Sequence, residues 1–342
     1  MRVTPFLACS ILLAAAPAFA AAPAHYKLEK SILLGGDGGW DYLTYDADGH
    51  RLFLSRATRV MVMDPASGKV LKEIPGTDGV HGIALAHDLG KGFTSNGHES
   101  TVTVFSLKTL EQTDKVKVTG ENPDAIVYEP VTRRVFTMNG RSDSSTVIDA
   151  TTDKVVATIT LDGRPEFAVA DGKGKVFVNI ESKSELSEID AATGKVVKTW
   201  SLAPCESPSG LAMDREHQRL FSGCDNKLMA VSDADAGKVV GSFPIGEGVD
   251  ATRFDPGTQL AFSSNGEGTL TVAHEDSPDK YTVLENAPTQ KFARTMALDL
   301  ATHTVYLVTA DVKVEPAVPE GQRPKRSVLP NSFRVLVMGL QK

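Results

Sequence analysis

One textual unit recurs along nearly the whole chain, and few folds can house it. It is a short apolar strand closed by Asp or Glu: DYLTYD from Asp41, DAIVYE from Asp124, EFAVAD from Glu166, SGLAMD from Ser209, DATRFD from Asp250 and RTMALD from Arg294. A slightly longer version, HGIALAHD, begins at His81, and successive units start 40 to 44 residues apart. A second strand follows each unit, as in RLFLS, KGFTS, RVFTM, KVFVN, RLFSG, LAFSS and TVYLV. A third comes next, from RVMVMD to FRVLVM, and a fourth often carries Gly-Lys-Val, at Gly68, Gly194 and Gly237.

Four short strands in a period of this length describe a β-propeller blade. Solenoids fail on the strand count, and helical repeats fail on the missing 3.6-residue periodicity. First, second and third strands can each be counted seven times, but the chain stops just after FRVLVM. The missing fourth strand is at the other end, where HYKLEKSILLGG from His25 resembles the fourth-strand text DKVVATITLDG. The expectation is an all-β, seven-bladed propeller whose last blade is closed by the N-terminal strand, which covers two otherwise exposed edges.

The second-strand texts KVFVN, VFTMN and VYLVT, with STVIDATTDKV from Ser145 and ELSEIDAATGKV from Glu185, resemble the YVTN-repeat (YncE-like) family of seven-bladed propellers. The resemblance covers most of the chain and implies an extracytoplasmic propeller. It rests on structural repeat residues, so it transfers no catalytic residue.

Residues 1–20 read as a signal peptide rather than as part of the fold. Arg2 supplies the positive end, Phe6 to Ala16 the apolar stretch, and Ala18-Phe19-Ala20 the cleavage signal. The stretch is too short to span a bilayer. Residues 21–342 then form one propeller domain, periplasmic or secreted. Cys9 falls within the leader, which leaves Cys205 and Cys224 in an oxidising compartment. Both flank the first two strands of blade five, on the same face, so a disulfide is expected.

Repeat position also sorts the polar residues. First strands line a propeller's channel, so their starts should ring its mouth: Asp41, His81, Asp124, Glu166, Ser209, Asp250 and Arg294. Loops after the second strands lie behind, with His98, Arg141 and Glu181, while Trp40 stands beside Asp41 as a stacking surface or an interblade contact. Four carboxylates near one histidine and one arginine can raise one another's pKa or recruit a divalent cation, with Asp124, Glu166 and His81 the candidate ligands. The same carboxylates can equally be solvated, or cap backbone N–H groups. His50, His87, His217 and His303 fall at turns on the opposite face and read as structural. A proline-rich insertion at 310–332, with Arg323, Lys325 and Arg326, leaves the mouth face of the last blade.

No nucleophile elbow, zinc-protease motif, Walker loop or dinucleotide fingerprint occurs, and two tryptophans are too few for a quinone-cofactor propeller. The formal charge of −7 argues against a nucleic-acid partner. The leading expectation is a monomeric module binding a small ligand, peptide or protein through the acidic funnel, with no membrane span and no certain cofactor. The rival is a metal-assisted or acid–base hydrolase or lyase of the lactonase-like kind, using His81, Asp124 or Glu166 with Arg294 or Arg141 on the substrate.

Overall fold

Alternating apolar residues bounded by tight turns pair into short antiparallel hairpins, and the computed structural model shows how these assemble. It describes residues 25–314 and 326–341. The expected signal peptide and residues 315–325 of the insertion lie outside this range. Among the described residues are seven four-stranded antiparallel sheets and one two-stranded ribbon.

Blade one comprises Leu43–Asp46, Arg51–Arg56, Arg59–Asp64 and Lys69–Pro75, in that order from the inner edge. Blades two to six begin with Val80–Ala86, Pro123–Glu129, Pro165–Ala170, Pro208–Asp214 and Val249–Asp255. The seventh sheet uses Thr295–Asp299, Thr304–Thr309 and Arg334–Gln341, then takes His25–Leu33 as its outermost strand. Tyr26 opposes Leu340 in that pairing, and Ile32 opposes Val335. The N-terminal strand therefore closes the wheel, as expected.

Each seam between blades is filled by one apolar cluster, and the seven clusters visit every pair of neighbours in turn. The third residue of each second strand explains why the wedges match. Phe53, Phe93, Phe136, Phe177, Phe221 and Phe262 are fully buried, and Tyr306 nearly so. Burying one such ring contributes about 1.5–3 kcal/mol, and six or seven equivalent rings repeat that gain around the circle. Tyr26 adds the closing strand to the last seam: its ring meets Phe262 edge-on, and its hydroxyl donates to the His303 carbonyl at 2.9 Å.

The acids that end the first strands work at the turns that follow. Asp46 accepts from the Gly49 amide, Glu129 from Val131 and Thr132, Asp171 from Lys173 and Lys175, Asp214 from Glu216 and His217, Asp255 from Gly257, and Asp299 from Ala301. A short carboxylate satisfying its own turn amides is the Asx-turn logic. The insertion starts as a ribbon, Val312–Val314 against Arg326–Val328, tied down by Asp311 to Arg334 at 2.8 Å. Arg326 stacks on Phe292, on the loop that leads into Arg294.

Cys205 and Cys224 are joined by a disulfide, with Cα atoms 5.5 Å apart. No helix of the described residues is long and apolar enough to cross a membrane.

Candidate functional site

The side chains expected to ring the mouth sit on local irregularities. In blades two to five the first strand carries one extra residue against its partner, between Val80 and Ile83, Pro123 and Ile126, Pro165 and Ala168, and Pro208 and Leu211. Blade six has the same shift between Val249 and Ala251. His81, Asp124, Glu166, Ser209 and Asp250 each fall inside such a bulge. A bulge re-aims one side chain and ends regular pairing. At Gly82 and Gly210 the next blade's backbone comes so close that a Cβ would lie 3.3 Å from the Asp124 carbonyl oxygen or 2.6 Å from the Thr252 amide.

The ring is also laced blade to blade. The Ser95 hydroxyl donates to the Asp124 carbonyl, the Asn179 amide to the Ser209 carbonyl, and the Ser264 hydroxyl to the Arg294 carbonyl. Thr295 donates to the Asp41 carbonyl at 2.8 Å, which links the last blade to the first. Each bond fixes the backbone of a ring residue, so side-chain placement follows from the closed wheel.

His81 stands between two carboxylates: its Nδ1 is 2.5 Å from Asp41 Oδ2 and 3.7 Å from Asp124 Oδ1. Arg294 reaches Asp250 at 3.2 Å, yet that Asp250 oxygen is buried and accepts no hydrogen bond. The Tyr42 hydroxyl lies 3.5 Å from Glu166. Burial raises the Asp124 carboxyl to about 6; His81 opposes this, and Asp41 and Glu181 add to it. Asp250 is raised to about 7, mainly by burial, against the pull of Arg294. Glu166 is pushed well above the usual range by burial and then by Asp124, Asp250 and Glu181. Burial disfavours the His81 cation, but the Asp41 hydrogen bond and the Asp124 charge outweigh it and lift the imidazole to about 9. At neutral pH the cluster therefore holds protons that free carboxyls would have released.

Behind the ring, side chains of blades one, four and six meet. Tyr42 is buried, and its ring packs edge-on against Phe167, with Arg253 over the other ring at 5.1 Å. Burial lowers the Arg253 guanidinium to about 10. Sequence reading missed this contact because it weighed only the first residue of each unit, and Tyr42 and Phe167 are the second.

The structure brings together Asp41, His81, Asp124, Glu166, Asp250 and Arg294. Glu181 joins through its charge while paired with Arg164 at 2.7 Å. His98 turns outward to Asp78, and with the exposed Arg141 it lines a separate cleft of about 560 Å³. Trp40 packs on Phe333 within the seam between blades seven and one. Within the ring, the atoms in metal-ligand reach of one another belong to Asp41, His81 and Asp124; neither Glu166 nor His98 is in that group. The asparagines that end second strands are structural: Asn96, Asn139 and Asn265 are buried and tie their own strand to the third through Thr and Ser hydroxyls. Arg56 is buried too, stacked on Phe333 and donating to the carbonyls of Gly35, Asp37, Gly38 and Gly39.

No family model matches the chain, and no curated protein matches it. Solved structures do share its fold. The structure titled U3-55K aligns with a TM-score of 0.74 at 10% identity, over 91% of this chain and 98% of that one. The RRP9 WD40 repeats align at 0.75 and 10% identity, over 92% and 97%. A chain of the Mitotic Checkpoint Complex aligns at 0.73 and 14% identity, over 89% and 95%. At such identities the likeness concerns the seven-bladed fold alone.

Proposed function

We propose that this chain is an exported binding module that receives a positively charged group of a small ligand, peptide or protein at its ring of first-strand ends. The observation that carries the reading is the convergence of Asp41, Asp124, Glu166 and Asp250 around His81 and Arg294. Asp124, Glu166 and Asp250 retain protons, and an arriving ammonium or guanidinium group displaces them while gaining charge-assisted hydrogen bonds. The net charge of −7 steers cations toward the molecule.

Two further observations support the reading. A structure titled as WD40 repeats shares the fold, and so does a chain of a structure titled as a complex. The leader text, the disulfide and the YVTN-repeat resemblance all accord with an extracytoplasmic binding propeller. A second reading, a divalent cation on Asp41, His81 and Asp124, is favoured by their ligand atoms lying within 4.8 Å of one another.

Calorimetric titration with hexalysine and hexaglutamate peptides at low salt tests the proposal. Hexalysine should bind, more tightly at pH 8 than at pH 6, because Asp124 and Asp250 shed protons across that range. Asp124→Asn combined with Glu166→Gln should weaken it by roughly tenfold or more, as expected for lost charge-assisted bonds. Equal binding of both peptides, or no effect of the double variant, contradicts the reading.

A further inference from the structure

The face opposite the ring carries a second ionisable cluster, and repeat comparison shows it to be out of pattern. Blades two to five end the third strand with a buried apolar residue whose amide bonds to the residue before the second strand. These are Leu107 to Gly90, Ala150 to Arg133, Ala191 to Gly174 and Ala234 to Gln218. In blade six the same amide bond, to Gln259, is made by Glu275. A carboxylate thus occupies a place that in blades two to five holds Ala or Leu, and its side chain is 1% exposed.

Glu275 points across the seam between blades five and six. His217 Nδ1 is 2.9 Å from Glu275 Oε1 and 2.7 Å from Asp214 Oδ2. One ring nitrogen carries at most one proton, so it can donate to only one of the two acids. The hydrogen bond goes to Asp214, and both buried oxygens of Glu275 are left without a hydrogen-bond donor. Arg219, whose charge reaches Glu275, is engaged by Asp233 at 3.1 Å and Asp279 at 2.8 Å. A buried carboxylate whose oxygens accept no hydrogen bond is costly in an apolar seam and calls for a bound ion or water.

We infer that Asp214, His217 and Glu275 form a binding site for a divalent transition metal of the zinc class, bridging blades five and six. The donor set, one imidazole nitrogen and two carboxylate oxygens, suits such an ion with water in the remaining position. His217 is one-third exposed. It can move out the few tenths of an ångström that ligand bonds of about 2.0–2.2 Å require, and it opens the site to solvent. The ion satisfies Glu275. The site is separate from the ring, so it stands or falls independently of the proposed ligand binding.

Titration of the metal-stripped full chain with Zn²⁺, read by calorimetry and thermal melting, tests this. The wild type should bind one ion whose loss on chelation lowers the melting temperature. Glu275→Ala installs the residue that three other blades carry and keeps the fold. It should weaken zinc by more than the roughly 10–100-fold that outer-sphere partners cost, and the zinc-dependent rise in melting temperature should vanish. His217→Ala should do the same, while His81→Gln leaves this binding intact. No binding by the wild type overturns the inference, as does binding that survives Glu275→Ala in a chain also carrying His81→Gln, or that disappears in His81→Gln alone.

Discussion

Replacing Asp250 by Asn should make the protein more stable, and increasingly so as the solution becomes alkaline. Asp250 is almost fully buried in the ring, one of its oxygens accepts no hydrogen bond, and its carboxyl is raised from 3.8 to about 7. Because the folded pKa lies above the unfolded one, the native state holds the extra proton between pH 4 and pH 7. Stability from this group therefore falls as pH rises through that window. From pH 5 to pH 7 the fall covers two pH units at about 1.4 kcal/mol each, or about 2–3 kcal/mol in all. Asparagine resembles the protonated acid and escapes the penalty. Urea unfolding of both proteins at pH 5 and pH 8 should show the variant gaining about 2–3 kcal/mol on the wild type between the two conditions. An equal difference at both pH values, or a variant that loses ground at pH 8, refutes the picture of a proton-loaded ring. A gain fits a site whose crowded charges serve binding rather than folding.

Other outcomes follow from the same geometry. His81→Gln should cost on the order of 2–3 kcal/mol at pH 7 and much less at pH 10, since a histidine raised to about 9 stabilises below 6.5 and stops doing so as pH passes 9; a pH-independent cost speaks against it. Tyr26→Ala removes the fully buried ring of the closing strand and should lower unfolding free energy by about 3–5 kcal/mol. A cost under 1 kcal/mol in urea titration would mean the closure is dispensable. Replacing Cys205 and Cys224 by serine together opens a loop closed over 19 residues, with an expected loss of about 3 kcal/mol, read as a lower urea midpoint.

The wheel was legible because propeller blades are written in repeats, and a missing strand at one end with a surplus at the other implies closure. Ring membership followed from repeat position, and so did the disulfide, since both cysteines flank one hairpin. What escaped was the local geometry. A bulge at Asp124 or Glu166 adds a single residue and leaves no mark in the hydrophobic alternation. The Tyr42–Phe167–Arg253 cluster joins residues from three blades that no linear spacing relates. The second-strand asparagines did carry a signal, recurrence at one repeat position, but recurrence alone does not separate a buried strand tie from a loop. His98 and Arg141 shared the correct face with the ring yet turn away from it, a choice made by side-chain packing. His217 looked structural because turn histidines recur; its partner Glu275 stands out only when the blades are superposed through their hydrogen bonds.

A nitrogen-15 NMR titration of the histidine rings, with His81 assigned by the His81→Gln variant, tests the central claim most directly. If Asp41 and Asp124 converge on His81 as described, its imidazole should titrate near pH 9. A midpoint at or below 6.5 would mean that the acids of neighbouring blades do not meet around it, and the receptor ring would lose its basis.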